Sequence, residues 1–137
     1  MVESWLKRVS DPLKKIADSG EPPDDRLRHW FDALRRAKRK RAVTDPEMSK
    51  VTREIFAEAR EVIKEHVRQL VSQLERIVRD GVTAGVFVVD DPHEAALGIF
   101  DATARFHDPA HNAEWADPGN DAAFNRVYAL LHAGLSA

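Results

Sequence analysis

The chain has 137 residues, which is the usual size of one domain and enough to bury one hydrophobic core. Its net charge of −2 provides no overall positive field to hold a polyanion, and the lack of cysteine excludes disulfides and cysteine-bound zinc. The N-terminus lacks the apolar core of a signal peptide, and no stretch approaches the roughly 20 apolar residues of a membrane helix. We therefore expect a cytoplasmic protein that has no membrane partner.

Apolar residues at helical spacing predict helices through most of the chain. The first predicted helix covers residues 2–18, and Pro12 either bends it or opens a new helix capped by Asp11. The turn "SGEPPDD" leads to a second helix over residues 24–42, whose last turns carry the basic run "RRAKRKR". We interpret this run as a solvated helix end, because cations complement the helix dipole there and no aromatic residue accompanies them to stack on bases.

The third predicted helix, over residues 47–84, carries the longest stripe of apolar residues in the chain. The sequence "TDPE" (44–47) is typical of a capped helix start. Gly85 is expected to end the helix in the left-handed conformation that glycine adopts without strain. Gly81 is expected to stay helical and to admit a neighbouring helix, so Gly85→Val should harm folding more than Gly81→Ala.

Two further helices are predicted in the last part of the chain. Asp91 as N-cap and Pro92 at the first helical position open the fourth, which extends to about Phe106. An irregular connection leads to the final helix over residues 121–135. No repeat or long linker interrupts this order, so we predict one all-α domain over residues 1–137, a bundle of five to six helices.

No pattern of residues predicts a catalytic site, a metal site or a resident cofactor. The sequence contains neither a G-x-S-x-G nucleophile motif nor a G-x-x-x-x-G-K-[ST] phosphate loop. His107 and His111 have the spacing of paired metal ligands, but Pro109 between them argues against a continuous helix. His66 lies on the apolar stripe of the third helix, where it is either a hydrogen-bonded core histidine or a polar group inside a ligand pocket.

The order of these motifs resembles a known family of regulators. The long helix ends in "IVRDGVTAGVF", the segment "DDPHEAALGIFDATARFHDPAHNAEWADP" follows, and the last helix ends in "LLHAGL". These features resemble the C-terminal ligand-binding and dimerisation domain of TetR-type transcriptional repressors over essentially the whole chain. One subfamily often has a second histidine directly after the one that corresponds to His107, and here Asp108 stands at that position.

The resemblance implies a non-enzymatic domain in which a small, mostly apolar effector binds a cavity between the first four helices. Effector binding would change the spacing of two DNA-reading heads in a homodimer, with the first helix as the lever. DNA contact would require an N-terminal helix-turn-helix domain, which this chain does not contain. The expected ligand-binding residues, with His66, Thr103 and His107 as polar handles, are Leu13, Ile16, Trp30, Leu34, Ile63, His66, Leu70, Phe100, Thr103, Phe106 and His107.

The last two helices are expected to form the homodimer interface as an antiparallel pair, because small residues on one and a wide apolar face on the other suit a symmetric four-helix contact. The expected interface residues are Ala95, Ile99, Ala102, Phe124, Val127, Tyr128, Leu131 and Leu135. An ordinary intrachain core is the alternative for these residues. For the whole chain the alternative is a helical adaptor that binds another protein and has no small-molecule pocket.

Overall fold

Helices dominate the computed structural model, which describes residues 2–44 and 60–137 and the side chains of residues 4–40 and 60–137. The α-helices of these residues are α1 (Val2–Ala17), α2 (Pro23–Thr44), α3 (Arg60–Thr83), α4 (Pro92–Ala102) and α5 (Asn120–Leu135). Two 3-10 helices, Ala104–Phe106 and Pro109–Glu114, lie between α4 and α5. The predicted all-α fold is confirmed. The predicted helix start at "TDPE" and the part of the third helix before Arg60 lie outside the described residues.

Helix α1 continues without interruption through Pro12. The alternative of a new helix that starts after Asp11 is therefore wrong. Pro12 is exposed, whereas Leu6, Val9 and Leu13 are buried at steps of three and four. Pro12 therefore lies on the solvent-exposed face of the helix, and the opposite face packs into the core.

The core lies where α1, α2 and α4 pack against α3. One buried polar connection runs through it: Trp30 Nε1 donates to Gln73 Oε1 at 2.9 Å, and Gln73 Nε2 donates to the carbonyl oxygen of Ser10 at 3.1 Å. This chain of hydrogen bonds ties α2, α3 and α1 together. The largest fully buried side chains are Trp30, Phe31, Phe87, Phe124, Leu13, Leu27, Leu34, Leu70, Leu74, Ile77, Val78 and Thr103.

The two glycines at the end of α3 have different structural roles. Gly85 has a φ of 78°, which confirms the predicted left-handed cap, and the N–H of Val86 donates back to the carbonyl oxygen of Gly81 at 2.9 Å. Gly81 is packed against the ring of Phe87, since a Cβ there would lie only 2.6 Å from Cε2. The expectation that Gly81 admits a neighbouring helix is wrong, because the group that it admits is an aromatic ring from the following loop.

That loop also anchors the end of α5. The N–H of Val88 donates to the carbonyl oxygen of Leu135 at 2.8 Å, and the N–H of Ala137 donates to the carbonyl oxygen of Val86 at 3.2 Å. Phe87 and Ser136 form an isolated antiparallel bridge. The corner after α3 therefore holds the last helix in place with backbone hydrogen bonds.

Helix α4 begins as predicted and ends earlier than predicted. Asp91 Oδ1 accepts from the backbone N–H groups of His93 and Glu94, at 3.0 and 3.3 Å, and Pro92 occupies the first helical position. The helix ends at Ala102 rather than near Phe106. A 3-10 turn replaces the last predicted turn and redirects the chain towards α2 and α3.

Candidate functional site

A cavity of about 340 Å³ lies between α1, α2, α3, α4 and the segment that follows α4. This volume is at the lower end of the range for small-molecule pockets. Its walls are mostly apolar, with a few polar side chains. Its lining residues in the described part of the chain are Leu6, Lys38, Ile63, His66, Val67, Leu70, Phe100, Ala104, His107, Asp108, Pro109 and Ala110.

Lys38 supplies a buried ammonium group to this cavity. Only 6% of the residue is exposed, and Nζ donates to His66 Nε2 at 3.4 Å. Nζ also makes a cation–π contact with the ring of Trp5 on α1, at 5.6 Å from the ring centroid. Burial lowers the pKa of Lys38 to about 8, although the carboxylate of Asp108 acts in the opposite direction. Lys38 is therefore a cation at neutral pH that has little surrounding water.

His66 is neutral at physiological pH. Burial, followed by the charges of Lys38 and His107, lowers its pKa to about 3. An ammonium group can only donate, so His66 Nε2 must be the unprotonated nitrogen and Nδ1 must carry the proton. Of the two possibilities left open by the sequence, the structure shows a hydrogen-bonded histidine that also lines a cavity.

His107 is held in one orientation by Thr103. The hydroxyl of Thr103 lies 2.8 Å from the carbonyl oxygen of Ile99 and 3.2 Å from that of Phe100, and carbonyl oxygens only accept. The hydroxyl oxygen must therefore accept from His107 Nε2, which is 3.0 Å away. This arrangement places the proton of the neutral ring on Nε2. Burial lowers the pKa of His107 to about 4, with the charge of Lys38 adding to the effect.

The turn after α4 brings His107 to the cavity. The N–H of Phe106 donates to the carbonyl oxygen of Thr103 at 2.9 Å, and the N–H of Asp108 donates to that of Ala104 at 2.8 Å. Asp108 then caps the second 3-10 helix, since its side chain accepts from the N–H of Ala110 at 2.9 Å. The run "RFHDPA" thus folds as two consecutive turns whose shared corner carries His107 and Asp108.

Six of the predicted ligand-binding residues lie at or next to the cavity. Ile63, His66, Leu70, Phe100 and His107 line it, and Thr103 is one hydrogen bond behind the wall. The remaining predicted residues do not line it, and they belong to the core or pack against it; they are Leu13, Ile16, Trp30, Leu34 and Phe106. Leu13, Trp30, Leu34 and Phe106 are buried in the core, and Ile16 is partly buried against it.

Lys38 and Asp108 are the polar lining residues that the sequence prediction missed, and Lys38 is the buried one. It lies in the basic run "RRAKRKR", which was interpreted as a solvated helix end. That interpretation fits Arg36 and Lys40, which are exposed, but is wrong for Arg35 and Lys38, which are 8% and 6% exposed. A signal was present in the sequence, because Lys38 follows Leu34 by four residues and so continues the buried face of α2.

Two open grooves adjoin the bundle and are more polar than the cavity. One, of about 680 Å³, lies between α2 and α5 and carries five basic side chains, of which Arg35 and Arg39 are bonded to Asp121. The other, of about 470 Å³, lies between α1 and α3 and shares Leu6 and His66 with the cavity. The cavity is the most apolar of the three, and it is the one in which Lys38, His66 and His107 come together, a combination typical of small-molecule sites.

The comparison with known families agrees with this architecture. Residues 23–128 match the family model described as the tetracyclin repressor-like, C-terminal domain. The match spans most of the chain and includes every cavity residue named above except Leu6 on α1.

The chain belongs to the tetracyclin repressor-like C-terminal domain family. Domains of this family typically dimerise and bind small-molecule effectors, and they are generally non-enzymatic. No curated protein and no solved structure shows a significant match to the chain.

The last two helices of this tetracyclin repressor-like domain divide the predicted dimer residues into two groups. Phe124, Ile99 and Leu135 are buried in the domain's own core, at 0%, 4% and 6% exposure, so the intrachain alternative holds for them. Surface remains on the other five, which are Ala95, Ala102, Val127, Tyr128 and Leu131. Leu130, which widens the apolar face of the last helix, is 77% exposed and is the most exposed large apolar side chain of the described residues.

The described residues of the tetracyclin repressor-like domain form neither a membrane-spanning helix nor a metal-binding cluster. Across residues 2–44 and 60–137, no helix is long and apolar enough to cross a membrane. The same part of the chain contains no group of three or more histidine, aspartate or glutamate side chains that could hold a metal ion.

Proposed function

We propose that residues 1–137 form a single effector-binding and dimerisation domain of a TetR-type transcriptional repressor, and that the cavity lined by His66 and His107 is the effector site. The observation that carries the proposal is the cavity itself, an apolar space with oriented polar groups where four helices meet. The family supports the general class of protein. In this proposal the DNA-binding function belongs to a separate helix-turn-helix domain on the N-terminal side.

Helix α1 is the element through which the effector would act. Leu6 of α1 lines the cavity, and Trp5 lies against the ammonium group of Lys38. The same helix packs against α2 and α3. A ligand that contacts α1 from inside can favour one position of this helix over another. The change in DNA affinity would equal the difference in effector affinity between the DNA-bound and released states.

Ligand entry is tested best with a matched pair of cavity-blocking and surface variants. Ala104 lines the cavity, and Ala113 is exposed on the neighbouring 3-10 helix. Ala104→Phe should fill the space, whereas Ala113→Phe should leave it open. Small amphipathic probes such as octanol and hydrocinnamyl alcohol should raise the melting temperature of the wild type and of Ala113→Phe, but not that of Ala104→Phe.

Equal shifts in the two variants would show that the probes bind elsewhere and would overturn the proposed site. If no apolar or amphipathic probe shifts the wild-type transition, the adaptor alternative replaces the effector proposal.

Dimerisation in this proposal uses the outer faces of α4 and α5. Leu130 lies next to the half-buried Leu131 on α5, and Val127 precedes it by one turn. A charge at this position should separate the subunits without disturbing the core. Leu130→Arg should therefore be monomeric in light scattering with an unchanged helical circular dichroism spectrum, and the neighbouring exposed Ala129→Arg should remain dimeric. A monomeric wild type at high micromolar concentration would refute the dimer.

A further inference from the structure

The ammonium group of Lys38 in the cavity has more N–H donors than there are hydrogen-bond acceptors around it. Lys38 Nζ has three N–H groups, and one of them donates to His66 Nε2 at 3.4 Å. No carboxylate of the described residues lies within 4.0 Å of Nζ. The ring of Trp5, at 5.6 Å from its centroid, offers a face but no lone pair. Two N–H groups of Lys38 therefore have no acceptor in the described part of the protein.

A charged group in this position is costly unless it has a partner. Burial removes water from the ammonium group, and an unpaired buried charge destabilises a protein. His66 and His107 cannot neutralise Lys38, because an imidazole is either neutral, as both are here, or positively charged. Asp108 is exposed at the edge of the cavity and is not in salt-bridge contact with Lys38. An anion that enters the cavity would satisfy the unpaired donors.

We propose that the effector is an organic monocarboxylate whose carboxylate pairs with Lys38 and whose apolar body fills the rest of the cavity. This inference rests on the proposed function of the cavity as the effector site. A carboxylate oxygen can accept from the unused N–H groups of Lys38, and such charge-assisted hydrogen bonds are strong. The apolar body would lie against Leu6, Leu70 and Phe100, which line the same space.

The charges around the cavity favour one negative charge on the ligand rather than two. Lys38 is the only lysine or arginine among the described lining residues, and the two histidines are neutral. Asp108 carries a negative charge at the edge and would repel a second anionic group. A phosphate dianion would need further cations or backbone N–H groups. A carboxylate on an apolar aromatic or aliphatic chain fits both the charge and the walls.

The test compares probes that differ in one functional group. Octanoate, octanamide and octanol share an aliphatic body, and hydrocinnamate, its amide and hydrocinnamyl alcohol share an aromatic one. Isothermal titration calorimetry and thermal shift on the whole chain would measure each probe. We expect the acid of at least one series to bind the wild type about tenfold more tightly than its amide or alcohol, since a hydrogen-bonded charge contributes that much.

Two variants connect this preference to Lys38. Lys38→Met keeps a four-atom apolar stem and removes the ammonium group, and Lys40→Met makes the same change at an exposed position on the same helix. Lys38→Met should lose about tenfold in affinity for the acid while retaining the alcohol, and Lys40→Met should behave like the wild type. Retained alcohol binding also shows that Lys38→Met is folded around an intact cavity.

The possible results separate this inference from the proposed function. Alcohols or amides that bind the wild type as tightly as the acids, or acids that bind Lys38→Met as tightly as the wild type, would overturn the carboxylate inference and leave the effector site standing. If neither acids nor neutral probes bind the wild type, the effector site and the carboxylate inference both fail.

Discussion

The two ends of the helical bundle are built on different principles. At the end where α3 turns into α4, Gly81 is in contact with the ring of Phe87, and that ring lies 6.3 Å from the ring of His132 near the end of α5. At the other end the same helices surround a cavity that contains Lys38. We call these the packed end, which contains Gly81, Gly85 and Phe87, and the cavity end, which contains Lys38, His66 and His107.

The difference shows how one small domain can combine stability with a binding site. Close apolar packing around Gly81 and Phe87 stabilises one end. The cavity end gives up such contacts and buries polar groups, which costs stability but leaves space and chemistry for a ligand. Helix α3 belongs to both ends, since Leu74 is part of the core and Leu70 lines the cavity one turn away.

The largest expected effect compares these two leucines. Leu74 is completely buried and Leu70 is 2% exposed, so accessibility alone would predict equal costs of truncation. We expect Leu74→Ala to lower the free energy of unfolding by about 4 kcal/mol, because it opens a new cavity in a close-packed region. Leu70→Ala should cost about 2 kcal/mol, because part of its side chain already borders empty space. Urea unfolding followed by circular dichroism would measure both. Equal losses would remove the distinction between the two ends.

The next effect concerns the two glycines at the packed end. From the sequence we expected Gly85→Val to harm folding more than Gly81→Ala, and that comparison stays a prediction. For alanine at both positions, the structure favours Gly81 as the more sensitive one. A Cβ on Gly81 would overlap the buried ring of Phe87, whereas a Cβ on Gly85 would meet no atom within 4 Å. We expect Gly81→Ala to cost about 2 kcal/mol through overpacking, and Gly85→Ala to cost about 1 kcal/mol through its left-handed backbone.

A second substitution at Phe87 shows whether overpacking is the cause. Phe87→Leu should recover part of the loss of Gly81→Ala and none of the loss of Gly85→Ala, as measured by thermal or urea unfolding. Additive losses in the double variant with Gly81→Ala would mean that the two groups do not clash.

The third effect is a pH dependence that comes from the cavity end. The pKa values of His66 and His107 are about 3 and about 4 in the folded protein, below the ordinary value of 6.5. At a pH between the folded and the ordinary pKa values, the histidines bind protons in the unfolded chain but not in the folded one. The free energy of unfolding therefore decreases as the pH falls below 6.5. At pH 5 each histidine should have lowered the free energy of unfolding by at most about 2 kcal/mol relative to neutral pH. His66→Leu should flatten the stability curve between pH 6.5 and 5, and His111→Leu, at an exposed position, should not. An unchanged slope in His66→Leu would contradict the assigned burial.

The smallest effect is a gain in stability. Lys38→Met removes a buried charge that has no carboxylate partner among the described residues, so we expect the ligand-free variant to be about 1 kcal/mol more stable than the wild type. Lys40→Met should change stability by less than about 0.5 kcal/mol. Chemical unfolding without added ligand measures both. A destabilised Lys38→Met would mean that the ammonium group already has a stabilising partner in the ligand-free protein.

The sequence predicted the fold well where local rules apply. The pairing of Asp91 with Pro92, the left-handed Gly85 and the periodic stripe of α3 each follow from interactions within a few residues, and the structure confirms all three. The early end of α4 was missed, because a hydrogen bond from the Thr103 side chain and the following 3-10 turn compete with a helical pattern that continues in the sequence.

The sequence narrowed the candidate ligand-binding residues to the inward-facing apolar ones, but it could not tell which of these line the cavity and which belong to the core. Leu34 and Leu70 are both large, apolar and inward-facing in a helical projection, yet only Leu70 reaches the cavity. Periodicity identifies the buried face of a helix and contains no information about where neighbouring helices leave space.

By itself the amino-acid sequence determined the helical class, the caps and the family, because these depend on local spacing and on motifs that are contiguous in the chain. Only the tertiary structure decided that Lys38 is buried while Lys40 is exposed, and that Gly81 packs against the ring of Phe87. The physical reason is that burial and close packing depend on groups far apart in sequence. A basic run has the same local pattern whether its lysine meets water or a cavity.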